Sequence, residues 1–440
     1  MNKIETNIRV SIDSISSKVL NGENYSRTHF ARSILNYPAM MVPSVQEPII
    51  EILSSVIEGE VSLLDPFMGA SNTLVTGMKY GINVFGQDIN PLSVLLSEVK
   101  ICIYQTDELI DASKRILGCI NSDISNNIEI SFTNIDKWFT KEIQIELSKI
   151  HRAIRKESSL KIRRFFWVAL AETIRLTSND RTSTFKMHMR PLEEIAMRNV
   201  SALRTFNLTS NKNIKNLGDY LAILDQSGLI DNNKYTKKAD IAWGNTNIRI
   251  ESKDMFNLLV TSPPYGDNQT TVTYGQFSHL PLQWIPIEDI DEKITLEYLK
   301  SAQVIDNESL GGKTEEKISD IEERIFERSR TLKKFITQFD AVERKKAEKV
   351  TKFINDLDKS IDKMLPKMVQ NSFLVWTIGN RNVNRQIVQN DLILTELFKS
   401  KGIGLFTDLE REILSKRMPG RNNFSTMMNK EKILIFKKTD

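Results

Sequence analysis

Val61-Ser62-Leu63-Leu64-Asp65-Pro66-Phe67-Met68-Gly69 and Gly81-Ile82-Asn83-Val84-Phe85-Gly86-Gln87-Asp88-Ile89-Asn90-Pro91 are the two runs that decide the fold. A helical pattern through Lys79 separates them. The order is strand, glycine-bearing turn, helix, strand and acidic residue, which is the plan of one half of a nucleotide-binding sheet. Gly69 would let the backbone approach a ligand closely, and Asp88 could accept hydrogen bonds from the two hydroxyls of a ribose.

A second turn, Thr261-Ser262-Pro263-Pro264-Tyr265, stands directly behind the apolar run of residues 255–260. Because proline cannot continue a ladder, this run is predicted to be a buried strand that ends abruptly. Ligands bind at the carboxyl ends of strands in open α/β sheets, so chemistry is expected here. The serine hydroxyl, the rigid backbone of the two prolines and the flat tyrosine ring could together grip a planar exocyclic amine.

Both turns resemble motifs of the amino-methyltransferases that modify cytosine N4 or adenine N6 in DNA. Ser-Pro-Pro-Tyr at 262–265 resembles their catalytic motif, and Asp-Pro-Phe-Met-Gly at 65–69 resembles their S-adenosylmethionine signature. Asp88-Ile89-Asn90-Pro91 is similar to the ribose-binding continuation. The family usually has a second glycine two places after Gly69, where this chain has Ser71. A nicotinamide dinucleotide site fits less well, because it uses three glycines to bring a pyrophosphate onto a helix N-terminus.

Two shorter segments add to the resemblance. Tyr37-Pro38-Ala39 resembles the segment that lies against the methionine end of the cofactor, although it also suits a turn before a helix at 47–56. A short strand ending in Gly244-Asn245 resembles the third strand of the family, which commonly ends in Gly-Asp beside the adenine. The resemblance covers residues 30–100, 239–284 and 371–440.

The resemblance implies S-adenosylmethionine as the cofactor and two sets of site residues. The cofactor-binding set is Tyr37, Pro38, Asp65, Pro66, Phe67, Gly69, Asp88, Ile89, Asn90 and Asn245. The catalytic set is Ser262, Pro263, Pro264 and Tyr265.

The predicted fold is α/β: a Rossmann-like class I methyltransferase with a seven-stranded, mostly parallel sheet and two helical insertions. Residues 1–100, 239–300 and 371–440 are expected to form the catalytic domain. Residues 101–238 are a helical insertion and a candidate target-recognition region. Residues 301–370 are a charged helical arm, expected as a helical hairpin whose role is structural support, oligomer contact or DNA contact. A strand at 372–379, a helix at 384–401 and a closing pair of strands are expected to follow.

Two basic segments are candidates for contacts to a nucleic-acid backbone. The loop at 177–191 contains Arg181, Lys186 and Arg190 among hydroxyl and amide side chains, which phosphate contacts need, although it could equally be a solvated polar loop. Lys416, Arg417 and Arg421 form a basic turn before the last strand.

The composition agrees with a globular protein that has a nucleic-acid partner, without requiring one. The 440 residues carry a formal net charge of +4, with 40% hydrophobic and 26% charged residues. Two cysteines, Cys102 and Cys119, and four scattered histidines predict neither a disulfide framework nor a zinc site, and no metal is expected. The polar start lacks the apolar core of a signal peptide, and no stretch approaches the roughly 20 apolar residues that span a bilayer, so a cytoplasmic protein is expected.

The expected function is therefore site-specific methylation of double-stranded DNA at the exocyclic amine of a flipped base, in a restriction-modification role with a possible cognate restriction endonuclease. Serine rather than aspartate at the head of the catalytic motif favours cytosine N4. Adenine N6 and an RNA amine stay open as alternatives. A non-catalytic nucleic-acid-binding protein with a degenerate cofactor pocket is a fourth reading, which Ser71 and Asn245 keep open.

Overall fold

The computed structural model describes residues 3–23, 34–38, 40–41, 43–183, 185–413 and 430–439. Eleven strands occur in this part of the chain, and seven of them form one sheet. In chain order the strands are β1 (Ser62–Asp65), β2 (Asn83–Asp88), β3 (Ile230–Asp231), β4 (Lys234–Tyr235), β5 (Ala239–Trp243), β6 (Phe256–Thr261), β7 (Met368–Ile378), β8 (Arg381–Val383), β9 (Gln386–Val388), β10 (Gly404–Glu412) and β11 (Lys430–Lys437).

The large sheet has the order β10-β11-β7-β6-β1-β2-β5. The five strands from β7 to β5 are parallel, and β11 and β10 close the other side as antiparallel neighbours. This confirms the predicted α/β, Rossmann-like fold with a seven-stranded, mostly parallel sheet. Because β1 pairs with both β2 and β6, the turns after these three strands lie at the same edge of the sheet.

Helices account for most of the remaining structure. In chain order they are α1 (Lys3–Asp13), α2 (Ser17–Leu20), α3 (Pro43–Val56), α4 (Asn72–Lys79), α5 (Pro91–Ile101), α6 (Thr106–Ser122), α7 (Ile135–Trp138), α8 (Lys141–Arg155), α9 (Leu160–Thr177), α10 (Leu192–Met197), α11 (Ala202–Gln226), α12 (Tyr274–Trp284), α13 (Glu297–Lys300), α14 (Val304–Glu308), α15 (Ile318–Arg328), α16 (Arg330–Thr337), α17 (Ala341–Met364) and α18 (Asn390–Ser400). Short 3₁₀ turns occur at Ile287–Asp289 and Leu365–Lys367. None of the described helices combines the length and the apolar character that a membrane crossing needs.

The two faces of the sheet carry separate hydrophobic clusters. Leu63 belongs to the cluster that includes α3 to α6, α8, α9 and α11, whereas its neighbour Leu64 belongs to the cluster that includes α15 to α18. Alternate residues of a strand point to opposite faces, so a strand covered on both sides reads as a continuous apolar run. The charged region at 301–370 therefore packs its apolar side on the second face of the sheet.

The structure corrects the expectation of a helical hairpin within 301–370, because three helices, α15, α16 and α17, pack together there. The helical structure is interrupted at Ser329, whose backbone is extended. The Ser329 hydroxyl accepts a hydrogen bond from the Leu332 amide and is the N-cap of α16. A side-chain cap of this kind starts a new helix where the apolar spacing alone predicts a continuous one.

The expected helix at 384–401 also begins later than predicted. Residues 381–388 form the hairpin β8–β9, and α18 begins at Asn390. Asn384 and Arg385 both adopt left-handed backbone angles, with φ of 52° and 62°. Two consecutive left-handed residues are the turn that joins hairpin strands, and helical spacing cannot continue through them.

Candidate active site

A cavity with an empty volume of ≈ 870 Å³ lies at the carboxyl edge of β1, β2, β5 and β6. All ten residues of the predicted cofactor-binding set line it, and so do Ser262 and Pro264 of the predicted catalytic set. Residues that the sequence did not single out also line the cavity, including Asn268, Tyr274, Glu308 and Leu310. The structure therefore brings the two predicted turns together around one space. Which ligand they bind stays a prediction.

The turn after β1 is fixed by the carboxylate at the end of β2. The Gly69 amide donates to Asp88 Oδ2 at 2.9 Å, and the Asn90 amide donates to Asp88 Oδ1 at 2.8 Å. Burial raises the pKa of Asp88 by more than these backbone hydrogen bonds lower it, so the pKa lies above its usual value. Each carboxylate oxygen has a second lone pair, so Asp88 can stabilise the turn and still accept a hydrogen bond from a ligand hydroxyl.

Ser71, which replaces the usual second glycine, adopts a left-handed backbone with φ of 57°. The position thus has the conformation that glycine adopts freely and that costs other residues roughly 1–2 kcal/mol. The Ser71 hydroxyl bonds to that of Ser97 on α5, and both residues are buried. The turn keeps its shape without the glycine because the serine is bonded in place.

Lys100 is a buried contact to this turn that the sequence reasoning missed. Its side chain is 1% exposed, and Nζ donates to the Ala70 carbonyl and, at 2.8 Å, to Asn72 Oδ1. Burial lowers the pKa of Lys100 well below its usual value. Asn72 Nδ2 in turn donates to the Met41 carbonyl at 2.7 Å, so the same network reaches the segment next to Tyr37. The feature that explains the burial of Lys100 is the helix as a whole, because every residue of α5 except Glu98 is buried.

Tyr37 and Tyr274 form an aromatic wall of the cavity. Their ring centroids are 5.8 Å apart, and the edge of Phe277 meets Tyr37 at 5.6 Å. Asn90 Nδ2 donates to the Tyr37 hydroxyl at 2.8 Å, while Asn90 Oδ1 accepts from the Leu92 amide as the N-cap of α5. Burial raises the pKa of Tyr37 well above its usual value. One asparagine therefore orients the tyrosine and begins the helix.

Asp65 connects the two predicted motifs. Its Oδ1 accepts from the Thr261 hydroxyl at 2.7 Å, and the Phe67 amide also donates to it. Burial raises the pKa of Asp65 to about 6. Thr261 is the last residue of β6, so this hydrogen bond joins the end of the first strand to the start of the Ser-Pro-Pro-Tyr turn.

The Ser-Pro-Pro-Tyr turn presents only part of itself to the cavity. Ser262 and Pro264 line it, whereas Pro263 and Tyr265 are absent from its described lining. Tyr265 packs against the cluster on the second face of the sheet, and its hydroxyl lies 3.3 Å from Ser262 Oγ. Asn390 Nδ2, at the start of α18, donates to the Tyr265 carbonyl at 3.0 Å. For the Tyr265 ring to help grip a planar amine, as the sequence predicts, it would thus need to turn toward the cavity.

The loop that follows the turn is anchored at its beginning by ionic contacts. Asp267 is 2% exposed, and its carboxylate lies 3.3 Å from Arg381 Nη1 and 3.6 Å from Lys349 Nζ. A Cβ at Gly266 would overlap the Arg381 guanidinium in this position, so the glycine leaves room for the guanidinium beside Asp267. Arg381 belongs to β8 and Lys349 to α17, so two elements outside the cavity position the loop.

The far end of the loop contacts the 177–191 segment. The Thr273 hydroxyl donates to the Phe185 carbonyl at 3.4 Å, and Gln276 Oε1 accepts from the Met187 amide at 3.0 Å. The loop therefore connects the helical insertion on one side of the cavity to the arm and hairpin on the other.

The region at 301–370 supplies a further part of the wall, next to Tyr274, because the adjacent Gly275 amide donates to Asp306 Oδ1 at 3.0 Å. Ile305, Glu308 and Leu310 line the cavity, and the Glu308 carbonyl accepts from Asn245 Nδ2 at 3.1 Å. Asn245 Oδ1 accepts from the Asn247 amide, so the amide predicted to bond an adenine is already oriented by protein contacts.

The predicted nucleic-acid contacts have different surroundings. Arg181 is exposed, whereas Arg190 pairs with Glu194 and donates to the Asp180 carbonyl at 3.1 Å. Lys186 is exposed on the same loop. The other three candidates, Lys416, Arg417 and Arg421, lie outside the described residues. All six stay predictions.

Comparison with known proteins identifies the family. No family model matches the chain. Type II methyltransferase M.MjaII of Methanocaldococcus jannaschii is 32% identical over 128 residues, covering 29% of this chain and 22% of that protein. Type II methyltransferase M.MvaI of Kocuria varians is 33% identical over 451 aligned residues, covering 97% of this chain and 96% of that protein. Because this similarity extends over nearly the whole of both proteins, the chain belongs to the type II methyltransferase family.

Proposed function

We propose that the protein is a site-specific DNA methyltransferase that transfers a methyl group from S-adenosylmethionine to the exocyclic amine of a flipped base, with cytosine N4 preferred. The observation that carries the proposal is the shared cavity: Asp65, Gly69 and Asp88 line it together with Ser262. The membership in the type II methyltransferase family supports methyl transfer. The choice of DNA rests on the type II designation of both relatives and on the resemblance of the Ser-Pro-Pro-Tyr turn.

The cavity suits a cationic methyl donor. Two carboxylates line it, the buried Asp65 and the half-buried Asp88, and its described lining contains no lysine or arginine. This charge pattern fits a sulfonium compound better than a nucleotide phosphate, which calls for cationic partners. Asp88 would accept the ribose hydroxyls, the Tyr37 wall would cover the methionine end, and Gly69 would leave room for close approach. When bound, S-adenosylmethionine supplies an electrophilic methyl group.

The protein's own contribution is to orient the amine of the base. The lone pair of an aromatic amine is delocalised into its ring, which makes the nitrogen a poor nucleophile. Hydrogen bonds from the amine to Ser262 Oγ and to the Pro263 carbonyl would draw the nitrogen toward tetrahedral geometry and direct its lone pair into the cavity. The nitrogen would gain the methyl group and release one proton to bulk water, and the donor would leave as its neutral thioether. Extrusion of the base costs a few kcal/mol, which contacts to the DNA offset.

The product of the reaction tests the base preference. Duplex DNA incubated with the protein and isotopically labelled S-adenosylmethionine is digested to nucleosides and analysed by mass spectrometry. We expect labelled N4-methylcytosine. N6-methyladenine without N4-methylcytosine would contradict the preference for cytosine, and label in structured RNA but not in DNA would contradict the substrate class. Absence of cofactor binding in a titration would support a non-catalytic nucleic-acid-binding protein instead.

Three variants test the assignment of residues. Ser262→Ala should lower turnover by about 100-fold while cofactor affinity is kept, since it removes a contact to the amine; Tyr265→Ala should lower turnover as well, because it removes the hydroxyl that lies 3.3 Å from Ser262 Oγ. Asp88→Ala should weaken cofactor binding itself. Calorimetric titration and single-turnover methylation measure the two effects separately. Full turnover in all three variants would show that the site lies elsewhere.

A further inference from the structure

The hairpin β8–β9 is an element that the fold of the sheet does not require. It follows β7 after two residues, and β7 lies beside β6 with Trp376 paired to Thr261. The hairpin therefore leaves the sheet at the same edge as the Ser-Pro-Pro-Tyr turn. At its base, Arg381 contacts Asp267, whose neighbour Asn268 lines the cavity. The hairpin thus begins at the rim of the candidate active site.

The tip of the hairpin has a defined position beside α17. Each of its strands has three residues, so the tip lies about 10 Å from the base. Asn384 Nδ2 donates to the Glu343 carbonyl in the first turn of α17 at 2.9 Å, which holds the tip against that helix. Arg385, beside it, is exposed in a left-handed backbone conformation that non-glycine residues seldom adopt.

Several lysine and arginine side chains lie close together where the hairpin tip contacts α17. Lys345 and Lys346 are exposed, and neither they nor Arg385 has an ion-pair partner within the described ranges. Lys349 lies one helical turn from Lys345 on the same face and contacts Asp267 at the cavity rim. The neighbouring Arg344 is neutralised by Glu322. We call Lys345, Lys346, Lys349 and Arg385 the basic edge.

We propose that the basic edge contacts the phosphate backbone of the DNA duplex whose flipped base enters the cavity; this inference rests on the proposed function. A base extruded from a duplex stays attached to its backbone, so phosphates must pass close to the rim of the cavity. The basic edge runs from the rim to the hairpin tip, about 10 Å away, and its unpaired cations complement such a backbone. Contacts of this kind position the duplex and carry no sequence information.

The test removes the three cations that have no structural partner. The triple variant Lys345→Gln, Lys346→Gln and Arg385→Gln leaves out Lys349, because Lys349 also contacts the loop through Asp267. With a short random-sequence duplex, we expect the dissociation constant to rise by about 10- to 100-fold and the slope of log affinity against log salt to fall by about 2–3. Cofactor affinity and the rate at saturating DNA should stay within about twofold of wild type.

A matched variant controls for net charge. Lys237→Gln, Lys238→Gln and Lys253→Gln remove three exposed lysines before β5 and β6, at the opposite edge of the sheet; Lys237 and Lys238 pair there with Glu60 and Asp254 at the surface. We expect this control to bind DNA with nearly wild-type affinity. An equal loss of affinity in the control, or unchanged affinity and salt slope in the basic-edge variant, would overturn the proposal. So would a change in sedimentation from dimer to monomer without any change in DNA binding, which would assign the basic edge to a second copy of the chain.

The two proposals fail in distinguishable ways. If the wild-type protein methylates DNA and the basic-edge variant binds duplex DNA as tightly as the wild type, then the proposed DNA contact is wrong and the proposed function is supported. If the wild-type protein binds duplex DNA but transfers no methyl group to any base, and the basic-edge variant alone binds the duplex more weakly, then the proposed function is wrong and the proposed DNA contact is supported.

Discussion

The two sides of the cavity are stabilised in different ways. On the side of β1 and β2, the polar groups bond to one another: Asp88 accepts two backbone amides, and Asn90 orients Tyr37. On the side of β6, the Ser262 hydroxyl has one hydrogen-bond partner among the described residues, the Tyr265 hydroxyl at 3.3 Å, and the loop behind it is positioned through Asp267 by other elements. The first side is formed before any ligand arrives, whereas the second leaves hydrogen-bonding capacity for a substrate.

Because the two sides are held by different contacts, binding and chemistry can be altered separately in this protein. Changes on the first side should act on stability and on cofactor affinity together, because the same hydrogen bonds serve both. Changes on the second side should act on turnover. Asp65 is a point at which the two sides meet, since it belongs to β1 and bonds to Thr261 of β6.

The largest effect on stability is expected for Lys100→Met. This change leaves the Ala70 carbonyl and Asn72 Oδ1 without their buried donor, at a cost of about 1–3 kcal/mol for each unsatisfied group. Cofactor affinity should fall as well, because the turn loses its support. Urea unfolding and calorimetric titration measure the two losses. Ser262→Ala serves as the comparison and should change the unfolding free energy by less than about 1 kcal/mol. Equal unfolding free energies for the two variants would contradict the proposed difference between the two sides of the cavity.

An intermediate effect is expected for Asp65→Asn, and it depends on pH. Because burial raises the pKa of Asp65 from 3.8 to about 6, the folded protein binds this proton more tightly than the unfolded chain does. Stability should therefore fall as pH rises from about 4 to about 6, by up to about 3 kcal/mol, and the difference should stay constant above that range. Asp180 and Asp306 also have pKa values of about 6 and titrate in the same range. The wild-type minus variant difference in unfolding free energy isolates Asp65, and a difference that is flat with pH would contradict the prediction.

The smallest effect is expected for a pair of changes at Ser71. Ser71→Gly removes the left-handed strain and also the bond to Ser97, whereas Ser71→Ala removes the bond and keeps the strain. The glycine variant should therefore be more stable than the alanine variant by about 1 kcal/mol. Thermal unfolding of both variants measures this difference. An alanine variant as stable as the glycine variant would show that the turn is not strained at this position.

The sequence predicted the sheet and its functional edge because local signals there agree with the fold. Leu63-Leu64 and Leu258-Leu259-Val260 are apolar runs in strands buried on both faces, and a proline follows each run within three residues and ends the ladder. All ten predicted cofactor residues and two of the four predicted catalytic residues line one cavity.

Other features depend on contacts that are distant in the chain. Lysine is usually exposed, so nothing at Lys100 alone distinguishes it from a surface residue; its burial follows from α5 being covered on all sides. The hairpin β8–β9 was missed because its turn uses Asn384 and Arg385 without a glycine. The wall formed by Glu308 and Leu310 could not be foreseen, because the charge of 301–370 suggested a solvated arm rather than packing on the sheet.

The hydrogen bond between Asp65 and Thr261 spans 196 residues of chain. A ribosome that adds about 5–20 residues per second needs about 10–40 s to deliver the second partner after the first. Throughout that interval β1 lacks β6 and has an unpaired backbone edge, which is a site for association with other chains. The helices between residues 106 and 226 are synthesised in the same period and bury apolar surface among themselves and against α5. The nascent chain, rather than the finished enzyme, is therefore the form most exposed to aggregation.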